Sequence, residues 1–167
     1  ICDGTLFARN IINEPPDVAT TLYLEKLGRE IAKEYTLKAT VLDEHELQKQ
    51  GLNLIYSVGK GSNYPPRLII LEYNGDSKSK DKTALVGKGI TFDTGGINLK
   101  PSGSIETMKC DMAGAALVLA TIKAAAALKL KKNIIAVVPT CENMISSKAY
   151  RPSDIIKAYN GKTVEVS

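Results

Sequence analysis

Three neighbouring stretches decide how this chain folds: TALVGKG (Thr83–Gly89), DMAGAALVLATIKAAAALK (Asp111–Lys129) and NIIAVVP (Asn133–Pro139). The first is rich in strand formers and ends in glycines. The second is dense in Ala and Leu, the composition of a strong helix. The third is an unbroken apolar run, the mark of a strand covered on both faces. A strand, a long helix and a buried strand form a crossover, and crossovers join parallel strands. The expected fold class is therefore α/β, a mixed and mostly parallel sheet between helices in three layers.

The flanking segments continue the alternation. Leu6–Asn13 reads as a short helix stopped by the EPP that follows. Thr20–Tyr35 carries Leu22, Leu24, Leu27, Ile31 and Ala32 at roughly helical spacing, with Thr20 or Thr21 placed to cap it. Leu37–Asp43 reads as a strand and EHELQKQG as a short helix ending at Gly51. Arg67–Tyr73 is a further strand. RPSDIIKAY is expected to be a short helix with Pro152 in its first turn. KTVEVS begins one more strand. Residues 1–35 read as a linker or covering helices rather than a domain.

Composition narrows the classes. The chain has 167 residues, 44% hydrophobic and 24% charged, which suits one globular unit with a core. The net charge of +4 comes from 22 Lys+Arg against 18 Asp+Glu. Its two dense clusters, SKSKDK and KLKK, fall where loops are expected, so no nucleic-acid partner is expected. No membrane span is expected, because Thr121 and Lys123 interrupt the apolar run Leu117–Leu128. The N-terminal ICDGTLFARN has neither the basic leader nor the apolar run of a signal peptide. Cys2, Cys110 and Cys141 lack metal-type spacing, which points to a reducing compartment. The single histidine, His45, sits in a polar helical turn. A His-rich zinc site and a serine triad are thereby excluded.

The segment after the first strand, VGKGITFDTGGINLKPSG (Val86–Gly103), holds Lys88, Asp93 and Lys100 among glycines, and Asp111 follows. Ligands in open α/β sheets bind beyond the carboxyl ends of strands, where this segment begins. Each residue also has an ordinary reading. Asp111 could cap the helix, Asp93 could make an Asx-turn, and Lys88 and Lys100 could be surface lysines. A phosphate loop fits poorly, since neither G-x-x-x-x-G-K-[ST] nor G-x-G-x-x-G occurs. Metal-assisted amide hydrolysis accounts for the mixture. Two carboxylates can share divalent cations, a neutral lysine can ligate one, and a charged lysine can stabilise an oxyanion.

The run VGKGITFDTGGINLKPSGSIETMKCDMAGAA resembles the metal-binding core of the leucine (cytosol) aminopeptidase family. The likeness extends through NIIAVVPTCENM and YRPSDIIKAYNGKTVEV, and upstream through NEPPDVAT and VGKGSNYPPRLIILEY. The resemblance implies that Lys88 and Asp111 ligate the tightly held metal, that Asp93 bridges two metals, and that Lys100 is catalytic. It implies that Met108 lines the pocket for the substrate's first side chain. Glu142, in CENM, matches as well and is expected to make a structural hydrogen bond. Residues 36–167 would then be the N-terminal half of the catalytic domain, preceded by the covering helices of 1–35.

In that family the strand matching KTVEV leads into an NTDAEGR segment that completes both metal sites and holds a bicarbonate. This chain reaches Ser167 just before that point. The resemblance implies an intact parent that removes leucine-like N-terminal residues from peptides. The expected cofactors are two divalent cations, Zn²⁺ or Mn²⁺ first, then Mg²⁺ or Co²⁺, with bicarbonate. A homohexamer in the cytoplasm is expected, and residues 1–167 alone are expected to be inactive. The rival reading, a non-catalytic binding or assembly protein on the same scaffold, turns on whether that downstream aspartate and glutamate are present.

Overall fold

The computed structural model describes residues 1–166; Ser167, the last position of the expected KTVEVS strand, lies outside them. Two helices come first. Helix α1 spans Cys2–Asn13 and α2 spans Thr21–Tyr35. Thr20 caps α2 by accepting from the Tyr23 amide at 3.4 Å. Strand β1 (Lys38–Leu42), helix α3 (Glu44–Lys49), helix α4 (Asn53–Gly59) and strand β2 (Arg67–Asn74) follow. A reciprocal capping box between Asp43 and Glu46 starts α3.

The expected crossover is present. Strand β3 (Lys82–Val86) pairs in parallel with β5 (Asn133–Asn143), and helix α6 (Ala113–Ala127) lies between them in sequence. Strand β4 (Gly89–Asp93), a short helix α5 (Ser102–Ile105) and a 3₁₀ turn (Met108–Cys110) occupy the rest of the connection. The five-stranded sheet has the order β1-β2-β5-β3, with β4 also on β5. It is mixed: β1–β2 and β2–β5 are antiparallel, while β3–β5 and β4–β5 are parallel.

One face of the sheet carries the core. Ile69 and Leu71 of β2 and Ile134, Ala136 and Val138 of β5 pack against α1, α2 and α6. Helix α6 is apolar on nearly every side and buries eight residues, among them Leu119 and Ile122 with no exposed surface. Its neighbourhood, Ser102–Ala127, is long and apolar enough to pass for a membrane span. Yet α6 itself has 15 residues, about 22 Å at helical rise, short of the ~30 Å hydrocarbon core. Its burial marks it as the central helix of a packed layer. Helices α3 and α4 lie on the other face, where Leu68 and Pro139 line a shallow apolar depression of about 190 Å³ with Leu52, Leu54 and Tyr159.

The segment RPSDIIKAY departs from expectation. It holds strand β6 (Ile155–Lys157), which pairs antiparallel with β7 (Thr163–Glu165). Arg151–Asp154 is a turn, closed by the Asp154 carboxylate accepting from the Arg151 amide at 2.9 Å. The deciding signal is Asn160–Gly161: Gly161 takes a φ of +86°, and the hairpin closes through Ala158 N–H to the Lys162 carbonyl at 2.7 Å. Helix α6 also begins at Ala113, two residues beyond Asp111.

Candidate metal centre

Strands β3 and β4 run along the same edge of β5 in one register. Val86 faces Val137 and Gly89 faces Thr140, so Lys88 falls opposite Pro139. Proline has no N–H to give, and the ladder lapses there. The Lys88 carbonyl accepts from the Ala115 amide at 2.9 Å, one of the unpaired donors in the first turn of α6. Helix and strand approach this closely because Gly87 and Gly114 lack side chains: a Cβ on Gly114 would lie 3.0 Å from the Lys88 nitrogen, and one on Gly87 would overlap the Gly114 carbonyl.

That approach brings Asp111 to Lys88. The Lys88 ammonium lies 2.8 Å from Asp111 Oδ1. Asp111 Oδ2 is buried and has no hydrogen-bond partner. The helix-cap reading of Asp111 fails, since α6 has Met112 at its N-cap and no side-chain cap bond. Lys88 itself is 60% exposed along its side chain.

Asp93 ends β4 past a register shift that lies between Ile90 and Asp93. Such a bulge re-aims a side chain, and no residue in ITFD announces it. Gly95 and Gly96 then turn the chain with φ of +87° and +68°. The Lys100 amide closes the loop on the Thr94 carbonyl at 2.9 Å. Lys100 thereby returns to Asp93, its Nζ 2.7 Å from Oδ2. Asp93 Oδ1 accepts from the Gly95 amide at 2.8 Å, the Asx-turn of its ordinary reading, and from Asn143 Nδ2 at 2.7 Å. Burial pushes the Asp93 carboxyl up, but Lys100, the Gly95 amide and Asn143 outweigh it and hold the group below its usual range.

The four charged residues thus form two pairs, Lys88–Asp111 and Lys100–Asp93. Both surround Cys141 on β5, whose thiol is pushed up to about 12 by burial first, then by the charge of Asp93, with Asp111 adding and Lys88 opposing. A cavity of about 300 Å³ opens beside the second pair, lined by Asp93, Lys100, Asn143 and Tyr150 among others. Met108 is half-buried in the 3₁₀ turn, which packs on β4, but does not line that cavity. Glu142 is buried and accepts from the Ser62 hydroxyl, the structural hydrogen bond expected of it. His45 is exposed on α3. Asn143 and Tyr150 escape a search for charged ligands, although Asn143 stands beside Glu142 in CENM.

The donor set fits a divalent cation in part. Oxygen ligands and an orphaned, buried carboxylate oxygen suit a hard cation. Among the described residues, however, no three His, Cys, Asp or Glu side chains converge as a ligand set. The candidate donors among the described residues are two carboxylates and a lysine nitrogen, too few to complete a hard cation's shell.

A model of the cytosol aminopeptidase family, catalytic domain, matches residues 6–167. The chain is 46% identical over 168 residues to a probable cytosol aminopeptidase of Protochlamydia amoebophila, covering 100% of this chain and 34% of that protein. It is 47% identical over 166 residues to one from Geotalea uraniireducens, covering 99% of this chain and 34% of that protein. It thus spans about a third of the length of these curated relatives. Among solved structures, the leucine aminopeptidase of Caenorhabditis elegans superimposes with a TM-score of 0.94 at 34% identity, over 98% of this chain and 33% of that one. The bottromycin maturation enzyme BotP in complex with Mn gives 0.89 at 37% identity, over 98% of this chain and 35% of that one.

Proposed function

The chain belongs to the cytosol aminopeptidase family, and from that premise we propose that the full-length protein is a metal-dependent aminopeptidase. Its substrates would be peptides, from which it removes N-terminal residues, leucine-like ones preferred. The observation that carries this reading is the pairing of Lys100 with Asp93 beside Lys88 with Asp111, all four around one strand end.

Asp93, Asp111 and a deprotonated Lys88 would hold divalent cations, with Asp93 shared between two of them. Bound there, the cations supply Lewis-acid charge and lower the pKa of a water. Lys100, charged and on the cavity wall, donates to the scissile carbonyl oxygen and stabilises the negative charge that grows on it as the amide is attacked. Asp93 holds the Lys100 ammonium at that wall. Met108 offers a pliable apolar wall to the substrate's first side chain.

Mn²⁺ is supported as one candidate ion by the relative described with Mn; Zn²⁺ is the other, with Mg²⁺ and Co²⁺ behind them. Bicarbonate as general base, a homohexamer and a cytoplasmic location belong to the same proposal, carried by family resemblance. Because the chain brings two carboxylates only, residues 1–167 alone are proposed to be inactive.

The test is Lys100→Ala in the full-length protein. Turnover of a leucyl amide should fall by about 10²–10³-fold, as when an oxyanion donor is lost, with metal content kept. Unchanged turnover would refute the role given to Lys100.

A further inference from the structure

We propose that Asn143 is the positioning residue of Asp93: it fixes the carboxylate so that Oδ2, and not Oδ1, is the oxygen offered to a cation. The inference rests on the reading of Asp93 as a metal ligand.

Asn143 is the last residue of β5 and only 4% exposed. Its Nδ2 donates to Asp93 Oδ1 at 2.7 Å and to the Tyr150 hydroxyl at 3.1 Å. The carboxylate dictates which way the amide points, because the reversed amide would set oxygen against oxygen. Asp93 Oδ1 also accepts from the Gly95 amide at 2.8 Å, so two donors fill its lone pairs. Oδ2 has a single protein partner, the Lys100 ammonium at 2.7 Å, itself a cation. A carboxylate held at one oxygen by two neutral donors cannot swing, and it meets positive charge with the other.

The amide's own oxygen shows what the arrangement costs. Asn143 Oδ1 is buried with no hydrogen-bond partner, against the Cα of Gly96, where a Cβ would stand 2.9 Å away. That oxygen contributes no hydrogen bond to the fold. Nor does the turn depend on the amide. The Asn143 backbone carbonyl accepts from the Thr94 amide at 3.0 Å and from its hydroxyl at 2.8 Å, and both bonds survive any side chain at 143. What the amide alone contributes is its donor, shared between Asp93 and the Tyr150 hydroxyl. Outer-shell donors of this kind orient ligands and tune metal affinity.

The experiment titrates Mn²⁺ alone into chelator-stripped, full-length protein by calorimetry, for the wild type, Asn143→Leu and Asn143→Ala, with the melting midpoint of each metal-free form. Both variants should remain folded, and both should bind Mn²⁺ about 10–100-fold more weakly. Folded variants with unchanged Mn²⁺ affinity would overturn the inference, and so would failure of both to fold, which would make Asn143 a structural residue. A wild type that binds no Mn²⁺ would remove the metal-ligand reading itself, a result distinct from either.

Discussion

At the scale of single residues, the site is made of charges that hold one another. Asp93 lies below its ordinary carboxyl value of 3.8 in the folded chain. A depressed carboxyl contributes stability that is complete above that ordinary value and is lost as pH falls toward the folded one. Metal-free protein should therefore lose melting temperature on acidification below about pH 4, and Asp93→Asn should flatten that loss. A melting series against pH decides it. Cys141 behaves oppositely. Buried and held at about 12, it should resist a thiol reagent at pH 8, while the exposed Cys2 and Cys110 react. Counting labelled thiols before and after denaturation should give two, then three. Lys88, Asp93 and Lys100 stood out in the sequence as charges on a Gly-rich strand end and Asp111 at a helix start, while their expected roles came from the family resemblance. Asn143 did not stand out, because an amide acts here through where β5 stops, and composition does not carry that.

At the scale of elements, the decisive feature is the break between β3 and β4. Pro139 brings no N–H to the ladder there, and α6 ties in through the Lys88 carbonyl. Gly87 is the hinge of this contact, so Gly87→Ala should force α6 from the strand. Overpacking of this kind costs about 1–3 kcal/mol, readable in denaturant unfolding. It should also lengthen the Lys88–Asp111 contact and lower metal uptake. The crossover was readable from three segments because helix and buried strand differ so plainly in composition. The β4 bulge and the β6–β7 hairpin were not. One depends on registry with a distant strand. In the other, Pro152 and closely spaced apolar residues imitate a helix start, while Asn160–Gly161 carries the real instruction.

At the scale of the whole molecule, the two faces of the sheet differ. The face under α1, α2 and α6 is sealed, with Ile69, Leu71, Ala136 and Val138 at 0% exposure. The other is only partly covered, and at one end Glu72 gathers Lys38 at 2.7 Å and Lys82 at 3.2 Å in water. Among the described residues the outer edge of β3 pairs with no strand, and Val86 on it is 69% exposed. Open edges of this kind recruit other chains. Residues 1–167 produced alone should sediment as concentration-dependent oligomers, and Val86→Lys should shift them toward monomer. A chain that stays monomeric at every concentration would contradict this.

Strand β5 joins β2 on one side and β3 and β4 on the other, and it comes last of the five. On a growing chain, β1 and β2 can pair early, and α1 and α2 can form. Until residue 143 has emerged, β3, β4 and the loop between Asp93 and Lys100 have no partner to order them. Synthesis proceeds at about 5–20 residues per second, so this half of the sheet waits several seconds for its seam. The loop that returns Lys100 to Asp93, tied to the end of β5 through Thr94 and Asn143, is therefore placed in a single late event, when β5 arrives.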